Sequence, residues 1–349
     1  MKDKPLISIV VPAYNVECYI DKCIGSVLSQ TYSNWELLLI VGGQDRTVTI
    51  CDSYAAKDRR IKSIHDNRGL VPARNTGYKN ATGDWITYLD GDDWIDRNMC
   101  EQLAEEVSKN PGVDVVFWRY IEELGNKSID KWKDNNVKRE EYDEEDCKEL
   151  ARRTLIYKYG LSDGVCKLIN MNYAKRCGIY HDDRLVQGSE GVEFSMRAFY
   201  NAKRALYLNR CFYHYRYTPN SISHKVDEKN TKHLVDCYQV IWEDIQTFDN
   251  KEAFEHAFYE RTTYMLIAIA MNTYFSPRNC NPLLIKIKHF SGVISNNKLF
   301  QDSIKYTSLV NMDIYRRVVV LLLRMRCYAL LDPIARMKQF MLKIGYYNY

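Results

Sequence analysis

The sequence is short of several features, and each shortage narrows what the chain can be. Its longest aliphatic run, Val318 to Leu323, is six residues, far below the roughly 20 needed to cross a bilayer, so no transmembrane helix is expected. It has no C-x-x-C pair, and its eleven cysteines stand at scattered spacings. An odd number cannot all pair within one chain, which argues against a disulfide scaffold and for a reduced, cytoplasmic setting. It also lacks a charge excess. The 49 Lys and Arg side chains against 45 Asp and Glu leave a net charge of +4, without the basic surplus of a nucleic-acid binder. The start, Met1-Lys2-Asp3-Lys4-Pro5, leads directly into an apolar strand without the apolar stretch of a signal peptide, so no export signal is expected. No internal repeat is evident.

What is present points to an α/β fold. The 349 residues, 46% hydrophobic, can bury a substantial core. In the first third, short apolar runs alternate with segments of helical period, the pattern of a mainly parallel sheet flanked by helices. The strand candidates are Leu6 to Val11, Glu36 to Val41, Ile61 to His65, Trp85 to Asp90 and Val113 to Trp118. Between the first two, Tyr19, Ile20, Cys23, Ile24, Val27 and Leu28 recur at helical spacing, with Asn15 as a candidate N-cap. The stretch from Glu122 to Asp146 is charged and poor in aliphatics, which reads as an exposed excursion. From about Asp227 the period is helical throughout. The expected division is therefore 1–226 as an α/β domain that holds the candidate site and 227–349 as a helical region, a candidate for membrane association or oligomerisation.

In open parallel sheets ligands lie outside the carboxyl ends of the strands, which directs attention to three segments. Asp90-Gly91-Asp92-Asp93 crowds three carboxylates into four residues after the fourth strand, an arrangement that a divalent cation relieves. The plainer alternative is a solvated turn in which Asp93 caps a helix. The loop Asn67 to Gly77 enters a helix carrying Arg74, where backbone amides and a guanidinium can meet an anion. Pro12-Ala13-Tyr14-Asn15, after the first strand, offers an aromatic face and an amide to a base or ribose.

Taken together, these segments resemble the family-2 inverting glycosyltransferases of bacterial cell-surface polysaccharide synthesis. The resemblance runs through Ile7 to Asn15, Ser26 to Tyr32, Gly69-Leu70 with Ala73 to Gly77, and Ala81 to Asp84 with Tyr88 to Trp94. It implies a GT-A (Rossmann-like) fold, a nucleotide-diphosphate sugar donor with UDP-sugars among the candidates, and Mn or Mg as cofactor. By position, Pro12, Ala13, Tyr14, Asn15, Val41, Arg74, Asp90, Gly91 and Asp92 would bind the nucleotide sugar. Asp92 would be the principal metal ligand, with Asp90 beside it. The acceptor would be a cell-surface polysaccharide or a polyprenyl-linked saccharide.

An inverting transfer also needs a carboxylate to take the acceptor proton. The family commonly places a Glu-Asp pair before an aromatic, where this chain reads Glu190-Gly191-Val192-Glu193-Phe194. Glu190 is then the catalytic base candidate, with Glu193 and Asp183 behind it, and if Glu190 is a poor stand-in for the missing aspartate, Gly191→Asp is expected to raise activity. The alternative makes Glu190 and Glu193 ordinary exposed carboxylates at a helix start. A second departure follows the second strand, where Val41-Gly42-Gly43-Gln44 replaces Asp-Asp-Gly-Ser. Asp45, or a main-chain contact from Val41, would then hold the base. These losses keep open a competing reading, a degenerate homologue that binds nucleotide or a partner without efficient turnover. A nucleotidyltransferase is a third.

Cys211 to Arg216 and Asn220 to Ser223 also resemble the family's closing segment, in which His214 completes a metal site, touches phosphate or simply packs. Between Tyr315 and Lys343, seven basic side chains interleave with apolar ones and Asp332 is the only acid. This is either a surface for anionic lipid on the inner face of the plasma membrane or a set of packed helices with solvated arginines.

Overall fold

The alternation is realised as a ten-stranded sheet with helices packed on it, in a computed structural model that describes residues 4–125, 127–130, 140–217, 228–310 and 312–343. The first half of the sheet is built from β1 (Ile7–Tyr14), α1 (Ile20–Leu28), β2 (Trp35–Gly42), α2 (Thr47–Ala55), β3 (Ile61–His65), α3 (Leu70–Asn80) and β4 (Trp85–Tyr88). β5 (Trp94–Ile95), α4 (Met99–Lys109), β6 (Val115–Leu124), β7 (Lys127–Asp130), β8 (Glu141–Tyr142) and α5 (Glu144–Thr154) follow. β9 (Lys167–Asn170), α6 (Met171–Cys177), α7 (Glu190–Tyr200) and β10 (Ala205–Arg216) complete it.

The strand order is β3-β2-β1-β4-β9-β6-β10-β5, with β7 on β6 and β8 on β10. β3, β2, β1 and β4 are mutually parallel. The register Ala13↔Val41↔His65 therefore sets the carboxyl ends of β1, β2 and β3 side by side. Strands covered on both faces carry continuous apolar sequence rather than alternation, and β2 is buried along its whole length. Its one acid, Glu36, is served by Ser8, Thr82 and Lys62. Gly77 lets α3 press on β1, because a Cβ there would stand 2.1 Å from Val10 Cγ1.

Three expectations change. β9 runs antiparallel between β4 and β6, and its short segment carries the buried Lys167, so no apolar run announces it. Asn15 does not cap α1, which starts after Tyr19; Asn15 instead takes the left-handed conformation, φ 53°. The charged stretch is not wholly an excursion. β6 extends to Leu124 and pairs with β7, and Asp143 and Asp146 form a capping box on α5.

Two compact units are formed, Met1–Ser221 and Ile222–Tyr349. The expected boundary at 226 and 227 and the Asn220 to Ser223 segment lie outside the described residues. The second unit is helical as expected: α8 (Glu228–Gln246), α9 (Lys251–Ile269), α10 (Leu283–Ser295), α11 (Lys298–Tyr306), α12 (Ile314–Arg324) and α13 (Leu331–Lys343). Phe254, Phe258, Phe275 and Phe290 are fully buried there. Among the described residues no helix is long and apolar enough to cross a membrane.

Candidate active site

β4 delivers Asp90 to the turn that follows it, closed by the Asp93 N–H donating to the Asp90 carbonyl at 3.0 Å. Gly91 is required by close approach, since a Cβ would lie 2.9 Å from the Pro12 carbonyl oxygen at the end of β1. The three carboxylates then separate into two roles. Asp93 is buried; its Oδ2 accepts from the Tyr213 hydroxyl at 2.6 Å and its Oδ1 from the Arg216 N–H at 2.7 Å. Tyr213 Oη also accepts from the Asp90 N–H at 3.2 Å. Asp93 thus clamps β10 onto the turn, in place of the solvated helix cap the sequence allows.

Asp90 and Asp92 remain for a ligand. Burial, followed by repulsion from Asp90, pushes the Asp92 carboxyl up to about 6, the expected effect of desolvation and a neighbouring like charge. Among the described residues no group of three acidic, His or Cys side chains gathers to bind a cation. The donor set here is two carboxylates, which suits Mg or Mn because those ions complete their shell with water and substrate phosphate oxygens.

Arg74 joins this pair to the far side of the cleft. Carried on α3 and 3% exposed, it donates from Nη2 to Asp90 Oδ1 at 2.9 Å and from Nη1 to Glu190 Oε1 at 3.1 Å. Burial opposes its charge, yet Asp90 and Glu190 hold its proton more tightly than usual. Glu190 opens α7 and is buried rather than exposed. Its Oε2 has no hydrogen-bond partner, and burial raises its proton affinity against the pull of Arg74. A carboxylate with one oxygen anchored and the other unsatisfied is poised to accept a proton.

The other base candidates are placed differently, Asp183 being exposed and Glu193 fully buried. Glu193 is fully buried and paired with Arg197, which also donates to the Gly178 carbonyl at 2.8 Å. Asp183 accepts from Asn75 Nδ2 at 2.8 Å.

Gly191 is also explained by packing. A Cβ there would be 2.7 Å from both Gly164 N and Ser162 O, so the backbone of 162–164 occupies the space of a side chain. That segment is held in turn: the Asp163 carbonyl accepts from Ser195 Oγ at 2.9 Å and Lys167 Nζ at 2.5 Å. A Cβ on Gly164 would meet Arg74 Nη1 at 2.8 Å. The expectation that Gly191→Asp raises activity is therefore reversed, since the substitution would drive backbone toward Arg74.

At the carboxyl end of β1, Pro12 and buried Ala13 lead to Tyr14, which is 56% exposed. Val41 is fully buried and its carbonyl accepts from Asp66 N–H, so the expected main-chain contact from Val41 is spent inside the sheet. Asp45 does not substitute for the missing acid, because its carboxylate accepts from the Glu17 and Thr47 N–H groups. The corner is instead filled by amides. Asn15 Oδ1 accepts from Gln44 N–H at 2.8 Å, and Asn67 Oδ1 from Gly43 N–H at 2.9 Å. Each spends its oxygen on the loop and keeps an NH2 to donate. Gly42 and Gly43 are necessary here, since Cβ atoms would fall 2.5 Å from Asn67 Oδ1 and 2.2 Å from Asn15 Oδ1.

Arg216 was missed by the sequence reading as a site residue. Its Nε donates to the Asp92 carbonyl at 2.8 Å, and its guanidinium lies 4.8 Å from the ring centroids of both Tyr19 and Trp94. A fixed cation therefore stands beside the Asp90 and Asp92 pair. His214 serves packing: it stacks on Trp94, with Nδ1 2.8 Å from Glu123 and Nε2 3.0 Å from Asp96. Both ring nitrogens are used, which removes it as a metal or phosphate ligand.

Comparison with known proteins finds similarity to glycosyltransferases. The family model described as Glycosyl transferase family 2 matches residues 8–178. A Bacillus subtilis (strain 168) protein named "Uncharacterized glycosyltransferase EpsJ" is 34% identical over 227 residues, 63% of this chain and 63% of its own length. "Putative glycosyltransferase EpsH" of the same organism is 28% identical over 335 residues, 93% of each chain. The chain thus spans a little under two thirds of the first relative and nearly all of the second. Among solved structures, S. aureus TarS 1-349 in complex with UDP-GlcNAc superposes with a TM-score of 0.67 at 17% identity, over 95% of this chain and 92% of that one. That likeness shows the fold, GT-A with a helical C-terminal region.

Proposed function

From the match of residues 8–178 to the glycosyl transferase family 2 model, we propose that the chain is an inverting, metal-dependent glycosyltransferase of that family. It moves a sugar from a nucleotide-diphosphate donor to a cell-surface polysaccharide or polyprenyl-linked acceptor. The observation that carries this reading is the Arg74 bridge, which ties the donor-side carboxylate Asp90 to the acceptor-side carboxylate Glu190. A UDP-sugar is the favoured donor, supported by the UDP-GlcNAc held by TarS on the same fold.

Tyr14 stacks on the base, and the Asn15 and Asn67 amides bond to its edge or to the ribose. Asp90 and Asp92 would hold Mg or Mn, which would supply positive charge to the departing diphosphate. Arg216 stands over the same phosphates. Glu190 Oε2 takes the proton from the acceptor hydroxyl as that oxygen forms its bond to the anomeric carbon. The bond from that carbon to the phosphate oxygen breaks on the opposite face, and its electron pair leaves with the nucleoside diphosphate. Arg74 stays protonated throughout, orienting Glu190 and offsetting the charge that gathers at Asp90.

The test is release of nucleoside diphosphate from a panel of donors with Mn, using wild type and Asp92→Asn. Metal-stimulated release by wild type alone, raised by a saccharide acceptor, is expected. Release equal to that of Asp92→Asn with every donor and acceptor would leave nucleotide binding without turnover. Pyrophosphate as product would assign nucleotidyl transfer instead.

A further inference from the structure

Helix α12 covers one face and leaves the other uncovered. Val319, Val320, Leu322 and Leu323 are buried, whereas Ile314, Val318, Leu321 and Met325 are 79, 42, 45 and 62% exposed. Their spacings of four, three and four residues set them on one line along the helix. Four neighbouring aliphatic side chains in water form a stripe rather than the scattered exposure common to soluble surfaces.

Fixed charge borders that line. Arg317, three residues from Ile314, donates to the carbonyls of Met312 at 2.7 Å and Val310 at 2.9 Å. Arg324, three residues from Leu321, donates to the carbonyls of Ile304 at 2.9 Å and Thr307 at 2.7 Å. Both guanidiniums are held beside the stripe by neutral acceptors. Neither they nor the exposed Arg326 has a carboxylate partner among the described residues. The nearby Asp313 is already engaged, capping α12 and pairing with Arg316.

We propose that this face of α12 docks on an anionic lipid surface, its aliphatic line entering the interface and Arg317, Arg324 and Arg326 meeting phosphate headgroups. An anionic bilayer answers both features, being apolar inside and negative at its rim. A second copy does not. In a two-fold contact the same unneutralised arginines would face themselves. The proposal is independent of sugar transfer, so it stands or falls without turnover.

The experiment is co-sedimentation of the full chain with vesicles of phosphatidylcholine alone or with phosphatidylglycerol added. Binding to the mixed vesicles is expected to exceed that to the neutral ones by about tenfold or more and to weaken with salt. Val318→Glu with Leu321→Glu should lower it by at least about tenfold with an unchanged melting curve, because both side chains already face water. Leu284→Glu, at an exposed position on α10, should leave binding unchanged. Equal binding by the double variant, or no preference for the anionic vesicles, would overturn the proposal. So would a dimer in sedimentation equilibrium that the double variant dissociates, which would assign the face to a second copy.

Discussion

Gly191 offers the sharpest test of how the cleft is built, since pattern and packing make opposite forecasts for the same substitution. In Gly191→Ala, the new Cβ would stand 2.7 Å from Gly164 N and from Ser162 O and 3.2 Å from Asp163 C. All three are backbone atoms, so no side chain can swing aside. The segment cannot retreat freely either, because the Asp163 carbonyl is held by Ser195 and Lys167 and Gly164 lies against Arg74. Overpacking of this kind costs about 1–3 kcal/mol. For a unit of this size that is a fall in Tm of roughly 2–10 °C. Gly191→Asp should fall at least as far, since it adds a carboxylate beside the buried Glu190.

The displacement reaches Arg74 and through it both Asp90 and Glu190, and a shift near 1 Å at reacting groups costs about 100-fold in rate. Thermal unfolding by circular dichroism and initial rates of nucleoside diphosphate release measure the two effects. Both variants should lose on both counts, alanine less than aspartate. Gly191→Asp with wild-type Tm and faster turnover would refute the reasoning, showing that 162–164 moves aside and that a missing carboxylate was the real deficit.

Arg74→Lys keeps the charge but cannot reach Asp90 and Glu190 together. Leaving buried carboxylates poorly paired should cost about 3–5 kcal/mol at most, visible as a lower Tm, with turnover down by about 100-fold or more. Tyr213→Phe strips Asp93 Oδ2 and the Asp90 N–H of a shared partner. It should destabilise by about 1–3 kcal/mol and weaken Mn binding measured by calorimetry, while an unchanged Mn affinity would show that the clamp does not set the turn. Mn affinity should also fall as pH drops through about 6, where Asp92 takes up a proton. The metal-free protein should do the reverse. A carboxyl whose folded pKa is raised from 3.8 to about 6 binds more protons folded than unfolded, so stability rises as pH falls through that window. Melting curves at pH 7 and 5, with and without Mn, separate the two trends.

The parts legible in the sequence are those whose physics is local. A run such as Leu37 to Val41 declares a strand because it is buried on both sides, and three carboxylates in four residues declare a cation or a solvated turn. The rest depends on partners distant in sequence. Nothing near Asp93 shows that Tyr213 and the Arg216 amide, more than 100 residues away, will bury it, so the triple cluster overstates the ligand set by one. Nothing near Arg74 shows Glu190, 116 residues later. β9 carries little signal because it is four residues long and opens on a buried lysine.

The glycines carry the same lesson. Gly91 and Gly191 look unrelated in the sequence, one part of a carboxylate cluster and the other a lost acid. Both are in fact places where a second backbone comes within 3 Å of an absent Cβ, at the Pro12 carbonyl and at 162–164. The apparent loss at 191 is therefore compatible with a working site. What stands there instead of a carboxylate is backbone packed against Arg74, and Arg74 holds Glu190.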